Sequence, residues 1–84
     1  MSKLEKLLAR LKSKPTDFSW VEFEALMSML DYKKAKSGKT GGSRRRYVHA
    51  QLRPFVIHEP HPQRVLKPYQ VEDVIQQLEL EGII

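Results

Sequence analysis

The chain has no cysteine among its 84 residues, so neither a disulfide nor a thiolate metal site stabilises it. No apolar run approaches the roughly 20 residues that a membrane-spanning helix needs, and no signal-peptide pattern is present. Basic residues are absent after Lys67, where four acidic residues follow. These absences predict one small cytoplasmic domain over residues 1–84 that makes no membrane contact.

Acidic residues are also absent from Lys33 to Arg46, a segment that carries seven Lys or Arg residues. Positive charges at this density repel one another unless an anion lies opposite, and nucleic acid is the commonest polyanion in a cell. Backbone N–H groups of the glycine-rich turn at 38–42 add donors for phosphate oxygens. The segment therefore predicts a phosphate-binding surface. The alternative is a solvated basic turn that serves solubility.

Three segments have helical patterns. The leucines of residues 2–13 recur at i, i+3, i+4 and i+7, which predicts a first helix. Ser19 and Glu22 have capping-box spacing at the start of a second helix, and Pro68 suits the first turn of a third. The predicted buried positions of the second and third helices are Phe23, Leu26, Met27, Leu30, Val71, Val74, Ile75 and Leu78.

Between the second and third helices the pattern changes to that of β-strands. We predict strands over residues 32–37, 44–50 and 53–58. The resulting order α-α-β-β-β-α predicts an α+β fold, in which helices cover a three-stranded antiparallel sheet. Its last five elements, a helix, a three-stranded meander and a helix, have the topology of double-stranded-RNA-binding domains.

Several motifs together resemble one protein family. Gly42-Ser43, followed by a basic strand with an aromatic residue at Tyr47, is similar to the Gly-Ser-His-x-x-aromatic signature of HicA toxins. The segments Glu59-Pro60-His61-Pro62 and Leu66-Lys67-Pro68, with the amphipathic helix that follows, resemble the family's closing segment. The resemblance covers residues 21–84. Residues 1–15 are then an extra N-terminal helix on a single HicA-like domain.

HicA toxins are the small ribonucleases of HicA–HicB toxin–antitoxin pairs. The resemblance therefore implies a type II toxin that cleaves messenger RNA and is neutralised by a HicB-like antitoxin. It also implies cleavage without a metal or another cofactor, with the ribose 2′-hydroxyl as nucleophile and a histidine as general acid or base. Two alternatives remain open. One is a non-catalytic RNA-binding module of the same fold, and the other is a basic surface built for an acidic protein partner.

Arg44 stands where the family has its catalytic histidine. A guanidinium stays protonated beyond about pH 12, so Arg44 is suited to bind the scissile phosphate but not to accept a proton. Either the base has moved, or cleavage is lost, or the chain was altered at this position. The first candidate for a moved base is His61, on the loop between two prolines, and the second is His58; each has the alternative of an ordinary structural histidine.

Alternation along the second strand places Arg44 and Arg46 on one face, and Arg45 with Tyr47 on the other. We predict that Arg44 and Arg46 contact RNA phosphates, because RNA is recognised largely through its shape, phosphates and 2′-hydroxyls. The other predicted RNA-binding residues are Lys39, Gly42, Ser43 and Arg64.

Overall fold

The computed structural model describes residues 2–35 and 44–84. Its strands form one antiparallel sheet in the order β1-β2-β3. The predicted α+β fold and its element order are confirmed. The predicted third strand begins two residues later than expected, and the second ends two residues earlier. The elements are α1 (Lys3–Lys12), α2 (Trp20–Met29), β1 (Lys33–Lys34), β2 (Arg44–Val48), β3 (Phe55–His58) and α3 (Pro68–Leu80).

The helix boundaries follow local hydrogen bonding. Ser19 and Glu22 form the predicted capping box, with Ser19 Oγ accepting from the Glu22 amide at 3.1 Å and the Glu22 carboxylate accepting from the Ser19 amide at 3.0 Å. α3 begins at Pro68, and the chain leaves it through Gly82, whose φ of +75° is in the left-handed region that favours glycine. These signals are local, and the structure follows them.

The hydrophobic core lies between the helices and one face of the sheet. Phe23 of α2 is fully buried, and its ring centroid lies 5.4 Å from Tyr47 of β2 and 6.4 Å from Phe55 of β3. Leu11 of α1 is also fully buried, so the N-terminal helix is part of the same core. Six of the eight predicted helix positions are buried, and the other two, Leu30 and Ile75, are partly buried and pack against the core from its rim.

α1 is held to α2 by an arginine. Arg10 Nε lies 2.6 Å from Glu22 Oε2, and Arg10 Nη2 lies 3.0 Å from Asp17 Oδ1. The hydrogen bond from Arg10 holds the pKa of Glu22 below its ordinary value, against the opposing effect of burial. The same carboxylate caps α2, so one residue fixes both the start of α2 and its attachment to α1.

The segment after β3 returns to the start of α2. The Trp20 amide donates to the Arg64 carbonyl at 2.9 Å, and the Leu66 amide donates to the Phe18 carbonyl at 2.8 Å. These bonds close the loop 59–63 at its far end. They position it beside the end of β3.

α3 runs along β3 and bonds one carbonyl at the end of that strand and another just before its start. Gln70 is 4% exposed, and its Nε2 donates to the His58 carbonyl at 2.9 Å while its Oε1 accepts from the Lys67 amide at 2.9 Å. Two helical turns further on, Gln77 Nε2 donates to the Pro54 carbonyl at 3.0 Å. Two glutamine side chains therefore cover a strand whose backbone groups would otherwise be open to another chain.

Candidate functional site

The strand register separates the side chains of the sheet into two faces. Arg44 lies opposite His58 and Arg46 lies opposite Val56, and residues in register project from the same face. Tyr47, Phe55 and Ile57 are buried on the other face, which packs against the helices. We call the exposed surface the open face; in the described chain it comprises Lys33, Arg44, Arg46, Val48, Val56 and His58.

Arg44 and His58 form a pair across two adjacent strands of the open face. The Arg46 carbonyl accepts from the Ala35 amide at 2.8 Å, so alternate residues of β2, including Arg44, direct their backbone groups toward β1. The Arg44–His58 pair is therefore a non-hydrogen-bonded pair, the type in which Cα atoms lie only about 4.5 Å apart and side chains are closest. A guanidinium and an imidazole thus leave the sheet next to each other.

The cations on the inner face have carboxylate partners. Lys34 Nζ lies 3.4 Å from Glu24 Oε2, which also accepts from the Tyr47 hydroxyl at 2.9 Å. Burial raises the pKa of Tyr47, and its hydrogen bond to Glu24 adds to this shift. Arg45 Nε lies 3.4 Å from Glu59 Oε1. The inner cations are therefore compensated within the fold.

The cations on the open face differ in this respect. Within residues 2–35 and 44–84, no Asp or Glu forms an ion pair with Lys33, Arg44 or Arg46, and all three residues are exposed. Their charge is directed to the solvent from a single surface. Such a surface attracts a polyanion through the field of several neighbouring cations.

Glu59 organises the loop beside this surface. Its side chain is 13% exposed, and its two oxygens lie 3.4 Å from Arg45 Nε and 3.4 Å from Arg64 Nε. Glu59 thereby joins the inner side of β2 to the loop that carries His61. Sequence reasoning missed this role, although a signal was available, because Glu59 is the only acidic residue between Asp31 and Glu72.

The three histidines have different surroundings. His61 is exposed on the loop after β3, three residues beyond His58. His49 Nδ1 accepts from the Gln51 amide at 3.0 Å and the Leu52 amide at 3.2 Å, and its ring contacts Tyr32. His49 therefore shapes the turn after β2, about 16 Å along the chain from Arg44.

The family model for the HicA toxin of bacterial toxin–antitoxin systems matches residues 20–80, which is more than half of the chain. This chain belongs to the HicA toxin family. The match begins at the first residue of α2, so α1 lies outside it, although Leu11 of α1 is part of the core. No curated protein and no solved structure was found to match. Membership makes the chain a toxin of a toxin–antitoxin pair, with a cognate antitoxin as partner.

The remaining predicted RNA-binding residues of this HicA-family chain fall into two groups. Lys39, Gly42 and Ser43 lie outside the described residues. Arg64 is described; its side chain is 54% exposed and shares Glu59 with Arg45. No cluster of three or more His, Asp or Glu residues suited to a metal occurs in the described part of the chain. None of the described helices has the length and apolar character to span a membrane.

Proposed function

We propose that this HicA-family toxin binds RNA on the open face of its sheet and cleaves it as an endoribonuclease, until a HicB-like antitoxin covers the same face. The observation that carries this proposal is the placement of Arg44 beside His58, among cations that no described carboxylate compensates. Phosphate oxygens of a single RNA strand supply the missing negative charge. Arg46 and Lys33 extend the same surface away from the pair.

In the proposed reaction His58 acts as the general base. Its imidazole takes the proton from a ribose 2′-hydroxyl, and the 2′-oxygen attacks the adjacent phosphorus. The bond to the 5′-oxygen breaks, and that oxygen takes a proton from a general acid, for which His61 is the candidate. The products are a 2′,3′-cyclic phosphate and a 5′-hydroxyl. Arg44 stabilises the charge that develops on the non-bridging phosphate oxygens.

This assignment gives His58 precedence over His61 as the base. On the motif resemblance, the family's catalytic histidine corresponds to Arg44, and the residue directly opposite Arg44 in the sheet is His58. A shift of the imidazole by one strand keeps it beside the same phosphate. His61 follows on a loop that Glu59 holds through Arg45 and Arg64, so it lies near the same end of β3.

Cleavage is tested by incubating the purified protein with a long RNA in EDTA and separating the products on a denaturing gel. We expect cleavage by the wild type, and a loss of about 10²- to 10⁴-fold in rate for His58→Ala. RNA affinity of that variant, measured on an uncleavable 2′-O-methyl RNA, should stay within a few-fold. His61→Ala is the matched comparison and should also lose rate, because it removes the proposed general acid. An unchanged rate in His58→Ala beside a loss in His61→Ala would show that His61, not His58, is the base.

A second candidate function is RNA binding without cleavage, and the arginine at position 44 favours it. In that case the wild type leaves RNA intact, while its affinity falls steeply with salt. Intact RNA together with growth arrest on induction would place the toxicity in binding alone.

The antitoxin part of the proposal has its own test. Production of the toxin alone should arrest growth, and co-production of the protein encoded by the adjacent reading frame should restore it. We expect this neighbour to co-purify with the toxin and to prevent RNA binding. A neighbour that co-purifies yet leaves RNA binding unchanged would contradict occlusion of the open face.

A further inference from the structure

An exposed stripe of α3 runs beside the open face. Tyr69, Asp73, Gln76 and Leu80 recur at spacings of three and four residues, so they share one side of the helix. Asp73, Gln76 and Leu80 line a groove of about 400 Å³ together with Val56 of the open face. The stripe therefore faces the same side of β3 as the open face does.

Tyr69 occupies the end of this stripe that is closest to His58. The adjacent residue, Gln70, is fixed to β3 by its 2.9 Å hydrogen bond to the His58 carbonyl. Gln77, two helical turns later, contacts Pro54 at the other end of the strand. Because the helix and β3 run side by side between these contacts, Tyr69 belongs to the end of α3 beside His58, which pairs with Arg44 in the sheet.

The Tyr69 side chain is available to a ligand. It is 58% exposed, although the other tyrosines, Tyr32 and Tyr47, are buried. Its backbone is held in the first turn of α3, directly after Pro68. An aromatic ring on a rigid backbone is a platform for a nucleobase, and stacking of this kind accepts any base because every base has a π-face.

The charges along the stripe favour RNA at the Tyr69 end. Arg64 and Lys67 precede Tyr69 and are exposed, and Glu72 after it lies 3.9 Å from Lys14. At the other end, Leu80 is flanked in sequence by Glu79 and Glu81, which repel phosphate. Asp73, one helical turn after Tyr69, adds negative charge on that side, so the backbone of an RNA strand is favoured on the Arg64 and Lys67 side of Tyr69 and disfavoured from Asp73 to Leu80.

We propose that Tyr69 forms a base-stacking subsite at the margin of the open face. It takes the nucleobase of a nucleotide next to the bond that Arg44 and His58 contact. This inference rests on the proposed function, since it places a base only if the sugar–phosphate strand lies on the open face. The subsite adds affinity and fixes the position of the strand without selecting one base over another.

The test measures binding of a fluorescent 2′-O-methyl RNA by anisotropy, because this RNA lacks the nucleophile for cleavage. We expect Tyr69→Ala to weaken binding by about five- to a hundredfold. Tyr69→Phe keeps the ring and should bind within about twofold of the wild type, as should Leu80→Ala, which removes an exposed apolar side chain from the other end of the stripe. On a strand of equal length without bases, the wild type and Tyr69→Ala should bind equally.

The outcomes separate the subsite from the proposed function. If Tyr69→Ala binds RNA like the wild type while an Arg44→Ala/Arg46→Ala variant loses binding, Tyr69 is not a stacking subsite, but RNA binding on the open face is supported. If none of these variants changes binding, the proposed function fails. If Tyr69→Ala weakens only the complex with the protein from the adjacent reading frame, Tyr69 is a protein contact and the subsite is overturned.

Discussion

The two faces of the sheet use similar side chains for different purposes. Lys34 and Arg45 on the inner face have Glu24 and Glu59 as partners, whereas Arg44 and Arg46 on the open face have no carboxylate among the described residues. These residues lie close together in the chain, and their composition gives no hint of the difference. Consecutive basic residues on a strand therefore belong to two surfaces. One surface contributes to the fold through ion pairs, and the other is open to a ligand.

The largest difference in the effect of a substitution on stability is expected between two adjacent residues of β3. Phe55 is 3% exposed on the inner face, and Val56 is 47% exposed on the open face. Phe55→Ala should lower the free energy of unfolding by about 3–5 kcal/mol, because it opens a cavity in the core. Val56→Ala should cost no more than about 1 kcal/mol. Urea titration measures both, and Phe55→Leu replaces the alanine variant if that variant does not fold. Equal losses of stability at the two positions would contradict the assignment of Phe55 to the inner face and Val56 to the open face.

A smaller difference is expected between two adjacent arginines. Arg45→Met removes one partner of the largely buried Glu59 and should lower the free energy of unfolding by about 1–3 kcal/mol. Arg46→Met, on the open face, should change it by no more than about 0.5 kcal/mol. Urea unfolding checks the pair. If Arg46→Met destabilised the fold and Arg45→Met did not, Arg46 rather than Arg45 would be the arginine that stabilises the fold.

The effects of these arginines on RNA binding should be in the opposite order to their effects on stability. The double variant Arg44→Ala/Arg46→Ala should flatten the plot of log affinity against log salt by about 1.4, since each cation contributes about 0.7 on a single strand. Arg45→Ala should leave that slope nearly unchanged, because its guanidinium lies beside Glu59. Anisotropy titrations over a range of salt concentrations provide the slopes. A flattened slope for Arg45→Ala alone would place RNA on a different surface.

The smallest effect concerns an ion pair on the helical side. Glu22 has a folded pKa below its ordinary value of 4.5, so its stabilising effect is complete above that pH and is lost as the pH falls through the folded pKa. Arg10→Met removes the main cause of the shift and should flatten the fall in stability on acidification. Arg44→Met should leave it unchanged. Urea midpoints measured from neutral to acid pH compare the variants. If Arg10→Met lost stability on acidification as the wild type does, the Arg10–Glu22 pair would not be a cause of that loss.

Much of the fold could be predicted from the chain because its signals are local. The capping box at Ser19, the proline at Pro68 and the apolar spacing of the helices mark their elements without help from distant residues. The strand ends were less accurate: the turn after β2 is shaped by the hydrogen bonds of His49, which the strand pattern does not reveal.

The candidate site was only partly predictable. Strand alternation separates Arg45 from its neighbours, because side-chain direction in a strand has a period of two. The pairing of Arg44 with His58 depends on the register between two strands, and the buried position of Gln70 depends on how α3 lies along β3. Glu59 likewise acquires its role only when β2 and the loop after β3 meet.

The element order, the buried stripes and the concentration of positive charge follow from residue types at short spacings in the chain. The pairing of cations with carboxylates, the histidine opposite Arg44 and the position of the exposed Tyr69 emerge only in the folded chain. Ion pairing and side-chain proximity depend on distances between segments far apart in the chain, and packing of the core sets those distances.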